Sequence, residues 1–525
     1  MPTAKGISRR TFLKSTSVAG LALGAGALCS GVAPARAQGR RDVRVGLFGE
    51  PPGLNEFRRT DIQGSLITGN IYHRLAETNF DRGVPDPVLA EGWTQEGPTK
   101  WVVKLRQGVK WHKGYGEFTA EDVAYTVNYT IDNKAFQFGS GLAGVKGAKV
   151  RGKHLIEYEL ARPFGGFPNV NLDYGGTIMC KKAHEEMGER NYSRAPIGTG
   201  PFEFGSWVSG SHIILKKSKD YFGRPAHLEE IVYRFLPDPS VRVDALVKGE
   251  VDMSAKPDWV VVPRFRAGQM PGFKYASAAG WNWDYIAFNY PPHVPNDFPT
   301  LKQEVRQAIS YAIDREAIVK EIYNGDATAT DSPVPPGFLG YRPPPIRYPL
   351  RADLKKAREL MAKAGARGFQ LEMITSSKDW LRRETELVGA MLSEIGITVK
   401  PQGLDMGTYT ERWKTSRKFQ SLLEDITVVS PDVDSTVYHF HREGTGNWFG
   451  WKHPQVNEWL DEGRRLVDPE QRRPLYHKAV DAIADGAAYL YLANVNNTWV
   501  HSDKLQGVFV PPQEMLMRFH NVRWA

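Results

Sequence analysis

Cysteine is nearly missing from this chain of 525 residues, which has only Cys29 and Cys180. If the segment carrying Cys29 is removed on maturation, Cys180 stands alone and no intramolecular disulfide can form, so stability must come from burial. Long apolar runs are also missing. The one candidate, from Ser17 towards Ala35, is diluted by Gly20, Gly24, Gly26, Ser30 and Gly31, whereas a membrane anchor needs about 20 strongly apolar residues. Charge of one sign is nowhere gathered into a stripe, and Lys and Arg are interspersed with Asp and Glu, which argues against nucleic acid as a partner. The zinc-protease pattern H-E-x-x-H and the serine elbow G-x-S-x-G do not occur, which leaves an exported hydrolase without a catalytic constellation. Repeats and low-complexity tracts that would signal a solenoid are absent as well.

The N-terminus carries a processing address. Ser8-Arg9-Arg10-Thr11-Phe12-Leu13-Lys14 precedes the weakly apolar stretch, and Ala35-Arg36-Ala37 closes it with small residues. That order defines a secretory signal, and the adjacent arginines make it the twin-arginine type. A lipid-modified start at Cys29 is disfavoured by Leu28 where a small residue is expected, so cleavage is placed after Ala37. Removing residues 1–37 takes away five cations and no acid, and the formal charge falls from +9 to +4. A mature chain of this length divides into two or three domains.

Alternation at period two marks strands at Asp42–Phe48, Lys100–Arg106 and His154–Leu160. Thr119-Ala120-Glu121-Asp122 has the spacing of a capping box, so a helix should begin there and carry Val123 and Val127 on its buried side. Gln303–Tyr323 reads as helix, with a restart at Asp314 and a stop at Gly325; Asp353–Ala364 stops at Gly365, and Trp380–Ile395 hands over to a strand at Ile397–Val399. Helix followed by strand is α/β grammar. Pro474 interrupts the helical pattern of Pro469–Ala484, which predicts a kink or a late start.

Several blocks, in order, then resemble one family. They are Leu89–Trp93, Trp101–Trp111 (WVVKLRQGVKW), Phe118–Val123, Pro196–Phe204 (PIGTGPFEF), Tyr221–Pro225, Ala245–Asp252 and Glu304–Val319 (EVRQAISYAIDREAIV). Together they resemble the family 5 extracellular solute-binding proteins of ABC importers, the group of dipeptide-, oligopeptide- and nickel-binding proteins, across essentially the whole mature chain. The resemblance implies an α/β, two-lobed type II periplasmic binding protein of three domains with a hinged cleft. Domain I would comprise 41–75, 199–285 and 490–525, domain II would be the insertion 76–198, and domain III would be 286–489. It further implies a periplasmic, monomeric protein without cofactor, metal or catalytic residues, which captures a short peptide or similar polar solute and delivers it to permease subunits in the cytoplasmic membrane. Gly198 and Gly200 fit a tight chain crossing rather than a phosphate loop, and Gly139–Gly144 matches G-x-G-x-x-G without the flanking strand and helix that dinucleotide binding needs.

The candidate ligand contacts follow from that crossing. Trp281, Trp283 and Tyr285 alternate onto one side where the family chain passes between lobes, either as ligand-facing aromatics or as core between lobes, with Asn289 closing the segment. Trp448 and Trp451 sit in a Gly-rich loop and are assigned to ligand. Peptide-binding relatives hold the ligand's α-ammonium with an aspartate shortly before an Asp-Pro-Asp-like segment, here Pro431-Asp432-Val433-Asp434. Counting back from Pro431-Asp432, Thr427 occupies that position and Asp425 lies two residues away, so Asp425, Thr427 and Asp432 join the candidates. This departure favours, as an alternative ligand, an oligosaccharide or opine-like sugar conjugate. His439, His441 and His453 suggest metal only weakly.

Overall fold

A computed structural model describes residues 39–55, 61–133, 141–142, 144–366, 368–428, 430–442, 447 and 449–525. The export signal, Trp448 and half of the Gly139–Gly144 match lie outside these residues. The strands expected from alternation form at Asp42–Leu47, Lys100–Leu105 and Leu155–Leu160. Thr119 caps the helix Ala120–Asp132 in a reciprocal box with Asp122, and Val123 and Val127 are buried on it. Asp314 ends one helix, Gln303–Ala312, and caps the next, Arg315–Glu321, by accepting the Ala317 N–H at 2.8 Å. Of the two outcomes expected at Pro474, a kink or a late start, the late start does not occur. The helix Pro469–Gly486 starts at its Asp468 cap and runs through Pro474 without a late start. The missing Pro474 N–H costs one early-turn hydrogen bond, outweighed by burial of Tyr476, Ala479, Val480 and Ile483.

An 11-stranded mixed sheet draws strands from both halves of the chain. Its spine is two long antiparallel strands, Phe273–Phe288 and Tyr489–Ser502. Their outer halves pair as Phe273–Ala278 against Asn497–Ser502, and their inner halves as Asn282–Ala287 against Tyr489–Val495. Towards one end the sheet continues through Met253–Ala255, Asp42–Leu47, Glu230–Phe235, His212–Lys217 and Phe202–Val208; towards the other through Ser421–Thr427, Gln370–Ser376 and Thr398–Leu404. A separate antiparallel sheet of Ala90–Gly97, Lys100–Leu105, Leu155–Leu160 and Val145–Gly152 packs its Trp101, Val103, Ile156 and Tyr158 into the same core as Val43, Val45 and Trp499. That core defines a first lobe. Residues 281–495 build a second lobe with two cores, one on each face of the sheet.

Between the lobes the spine strands slip. Pairing jumps from Ala278–Asn497 to Asn282–Val495, a bulge that lets the sheet bend. Gly280 sits in it, and a Cβ there would lie 1.9 Å from the Val495 carbonyl oxygen. Gly198 and Gly200 serve another close crossing, with Cβ positions 2.0 Å from the Ile71 carbonyl and 2.6 Å from that of Asn70.

Candidate functional site

Strand alternation carries Trp281, Trp283 and Tyr285 onto one face of the second-lobe sheet, where all three are buried in one aromatic cluster. Trp281 lies at the junction: its ring meets Phe80 of the first lobe at 5.4 Å and Phe338 of the second at 4.8 Å between centroids. Its backbone N–H donates to the Pro512 carbonyl, and its own carbonyl accepts from Val428 N–H. Trp283 meets Tyr491 edge to face, and Tyr285 stacks on Tyr489.

Thr427 ends the strand Ser421–Thr427 beside Trp281. Its Oγ1 donates to Glu514 Oε1 at 2.6 Å, and the other Glu514 oxygen pairs with Lys256 Nζ at 2.7 Å. The Glu514 side chain is 3% exposed and Lys256 is 29% exposed. Three distant segments thus meet in one polar group: the residue that follows the strand Met253–Ala255, the end of a second-lobe strand, and the C-terminal segment. Sequence reasoning missed Glu514 and Lys256, since the only signal near Glu514 was the turn-forming Pro511-Pro512 pair.

Asp425 pairs across the sheet with Asp284 and forms a close ion pair with Lys378, which also reaches Glu424 at 3.1 Å. Burial alone would raise the Asp425 carboxyl, but the Lys378 charge outweighs it and holds the group well below the usual carboxylate range. Glu424 moves the opposite way, pushed up by burial and by the Asp425 charge.

The remaining candidates turn out to be engaged in the architecture. Asp432 is clamped bidentately by Arg472 at 2.7 and 2.8 Å, both side chains being nearly inaccessible, and a charge so buried needs that partner. Asn289 donates to the carbonyls of Arg417 and Phe419 and accepts from Tyr290 N–H, closing a turn. Trp451, assigned to ligand because its loop is Gly-rich, is buried in the same aromatic cluster as Trp281 and Trp283. The Asn447 amide holds the Trp451 carbonyl at 2.9 Å, and the indole packs against Phe440, His453 and Gly486. Of the histidines, His441 pairs with Asp461 at 3.1 Å and His453 caps a helix by accepting Val456 N–H.

Two lobes joined by crossing strands, with polar and aromatic groups converging at the junction, define a class: a two-lobed binding protein of the type II periplasmic fold. Residues 84–448 match the model described as bacterial extracellular solute-binding proteins, family 5 Middle, and the chain belongs to that family. The oligopeptide-binding protein AppA of Bacillus subtilis is 26% identical over 502 residues, covering 90% of each chain. Among solved structures, the periplasmic binding protein DppA of Helicobacter pylori in complex with the peptide STSA superposes with a TM-score of 0.78 at 25% identity, covering 92% of this chain and 98% of that one. The binding protein AgaA of Agrobacterium tumefaciens R10 in complex with agropinic acid gives 0.77 at 24% identity, covering 92% and 99%. Among the described residues no helix is long and apolar enough to cross a membrane.

Proposed function

We propose that this protein is the exported receptor of an ABC importer for short peptides, and that Glu514 supplies the anion that holds the peptide's α-ammonium. The observation that carries the reading is the Thr427–Glu514 hydrogen bond at 2.6 Å. Where peptide-binding relatives carry an aspartate, this chain has a threonine, and a buried carboxylate arrives at the same hydroxyl from the C-terminal segment. Lys256 pairs with that carboxylate at 2.7 Å while no ligand is present, as a buried charge requires. Trp281, with Phe80 and Phe338 about it, gives the neighbouring apolar wall.

The wider assignment rests on the family. The twin-arginine signal of residues 1–37 delivers a folded monomer to the periplasm, where domain III (286–489) closes against domains I and II around the solute. The loaded form docks on permease subunits in the cytoplasmic membrane. It captures and delivers without chemical change, and uses no cofactor. Thr427 in place of a carboxylate also favours a second ligand class, a sugar conjugate such as an opine, whose hydroxyls suit a threonine and an ion pair.

Calorimetry with free and N-acetylated dipeptides, oligosaccharides and an opine separates the two. Glu514→Gln should weaken free-amine peptides by about 2 kcal/mol or more, roughly 30-fold, because it removes one member of a buried charge contact, and should leave N-acetylated peptides little changed. Equal loss for both peptide forms, or binding of opines alone, overturns the peptide reading.

A further inference from the structure

The rim of the molecule, away from the spine, holds a second meeting of the lobes. The first-lobe loop Phe164–Asn169 is fixed to the four-stranded sheet by Phe167, which stacks on Trp101 at 4.9 Å and meets Tyr158 edge to face at 5.2 Å. Opposite it lies the C-terminal end of the second-lobe helix Pro454–Arg465. The last carbonyls of a helix have no donor within it, and one of them, that of Arg464, accepts the Gly165 N–H at 2.8 Å. Ser430 Oγ donates to the Asn169 carbonyl at 3.0 Å. The Arg464 guanidinium is held by Asp434 at 3.0 Å, lies 3.7 Å over the Tyr438 ring and faces the Phe164 ring at 4.9 Å, so one cation joins aromatic faces of both lobes.

Gly165 is the sharpest feature of this contact. Its φ lies outside the left-handed region, so its own backbone does not require glycine. A Cβ would instead stand 1.7 Å from the Leu466 carbonyl oxygen and 2.9 Å from Val467 Cα, both on the second lobe. Its third near neighbour, the Leu466 carbonyl carbon at 2.6 Å, belongs to that lobe too. The neighbours that forbid a side chain here all come from across the gap.

We propose that Gly165 and the Arg464–Val467 helix end form a latch that admits the closed arrangement of the lobes, and that glycine is required at 165 only for closure. With the lobes apart, alanine at this position meets nothing and has an ordinary backbone to adopt. With the lobes together, its Cβ overlaps a backbone carbonyl that a helix end holds in place. This latch acts whatever solute the cleft takes, so it does not depend on the peptide assignment.

The test reads closure directly. In a Cys29→Ser background, with Cys180 buried, dyes are attached through Val150→Cys on the first lobe and Met406→Cys on the second, which are 46% and 54% exposed. Single-molecule energy transfer is recorded without ligand and with a tryptic digest of casein as the probe. The unmodified latch should give a high-transfer population in at least one condition, and Gly165→Ala should reduce it about tenfold or more, the usual scale of overpacking a close contact. Gly97→Ala, where a Cβ meets nothing within 4 Å, should behave as the parent. Circular dichroism of Gly165→Ala should match the parent. High transfer in Gly165→Ala equal to the parent overturns the latch, and so does a parent that never closes in either condition.

Discussion

Gly280 at the hinge and Gly165 at the rim stand in the same local predicament, with Cβ positions 1.9 Å and 1.7 Å from the carbonyl oxygens of Val495 and Leu466. The two collisions nevertheless mean different things. Gly280 lies inside the spine, where its neighbour is a strand of the same sheet. Gly165 meets its neighbour only when the lobes meet. Identical sterics therefore set folding stability at one position and a conformational equilibrium at the other, which residue type alone could never distinguish.

The largest effect expected on the folding side comes from Trp451. Because its indole is packed among Phe440, His453 and Gly486, Trp451→Ala should cost about 3–5 kcal/mol of stability, as core tryptophans do. Chemical denaturation of the ligand-free protein checks this. A variant that unfolds like the parent yet binds poorly would return Trp451 to the ligand and blur the contrast between core and rim.

Gly280→Ala should come next, at about 1–3 kcal/mol, since a side chain forced against a sheet carbonyl must displace backbone. The unfolding midpoint of the ligand-free variant should fall while that of Gly165→Ala stays with the parent. Equal midpoints for both variants would break the comparison at its root.

The smallest effect depends on pH and sharpens the picture of the second lobe. On the sheet face opposite the aromatic cluster, the Tyr323 hydroxyl reaches both Asp284 and Glu384, and a hydrogen bond joins these two fully buried carboxyls. Burial first pushes both above the ordinary range, joined by the Asp425 charge acting on Asp284 and by the Asp284 charge acting on Glu384, so the pair retains a proton. Charged groups nearby are Asp425, against Asp284 on the adjacent strand, and Lys378, beside Asp425. In the unfolded chain both carboxyls ionise near pH 4. Above that pH the folded state binds more protons than the unfolded one, and stability falls as pH rises, by up to about 1.4 kcal/mol per unit for each retained proton. Glu384→Gln, which cannot ionise, should flatten that slope between pH 5 and 7 in denaturation curves. An unchanged slope would show that no proton is shared there.

Local rules were legible wherever the answer depended on near neighbours in sequence. The Thr119 capping box, the Asp314 restart and the Gly365 stop are each decided within a helical turn, and the order of short blocks was enough to place the chain in its family. The reading failed where burial was at issue. A Gly-rich loop around Trp451 looked exposed because composition reports solvation on average, yet the indole is buried against Phe440, His453 and Gly486. Asp432 looked available for a ligand until Arg472, forty residues on, closed both its oxygens.

By itself the sequence determined the strands, the caps and the family, because each is encoded in periodicity or in blocks of contiguous residues. Only the tertiary structure decided which charges are paired, which tryptophans are core and which glycines face another lobe. Those outcomes depend on residues such as Lys256, Thr427 and Glu514, which lie far apart in sequence and acquire their chemistry when the fold brings them within hydrogen-bond reach.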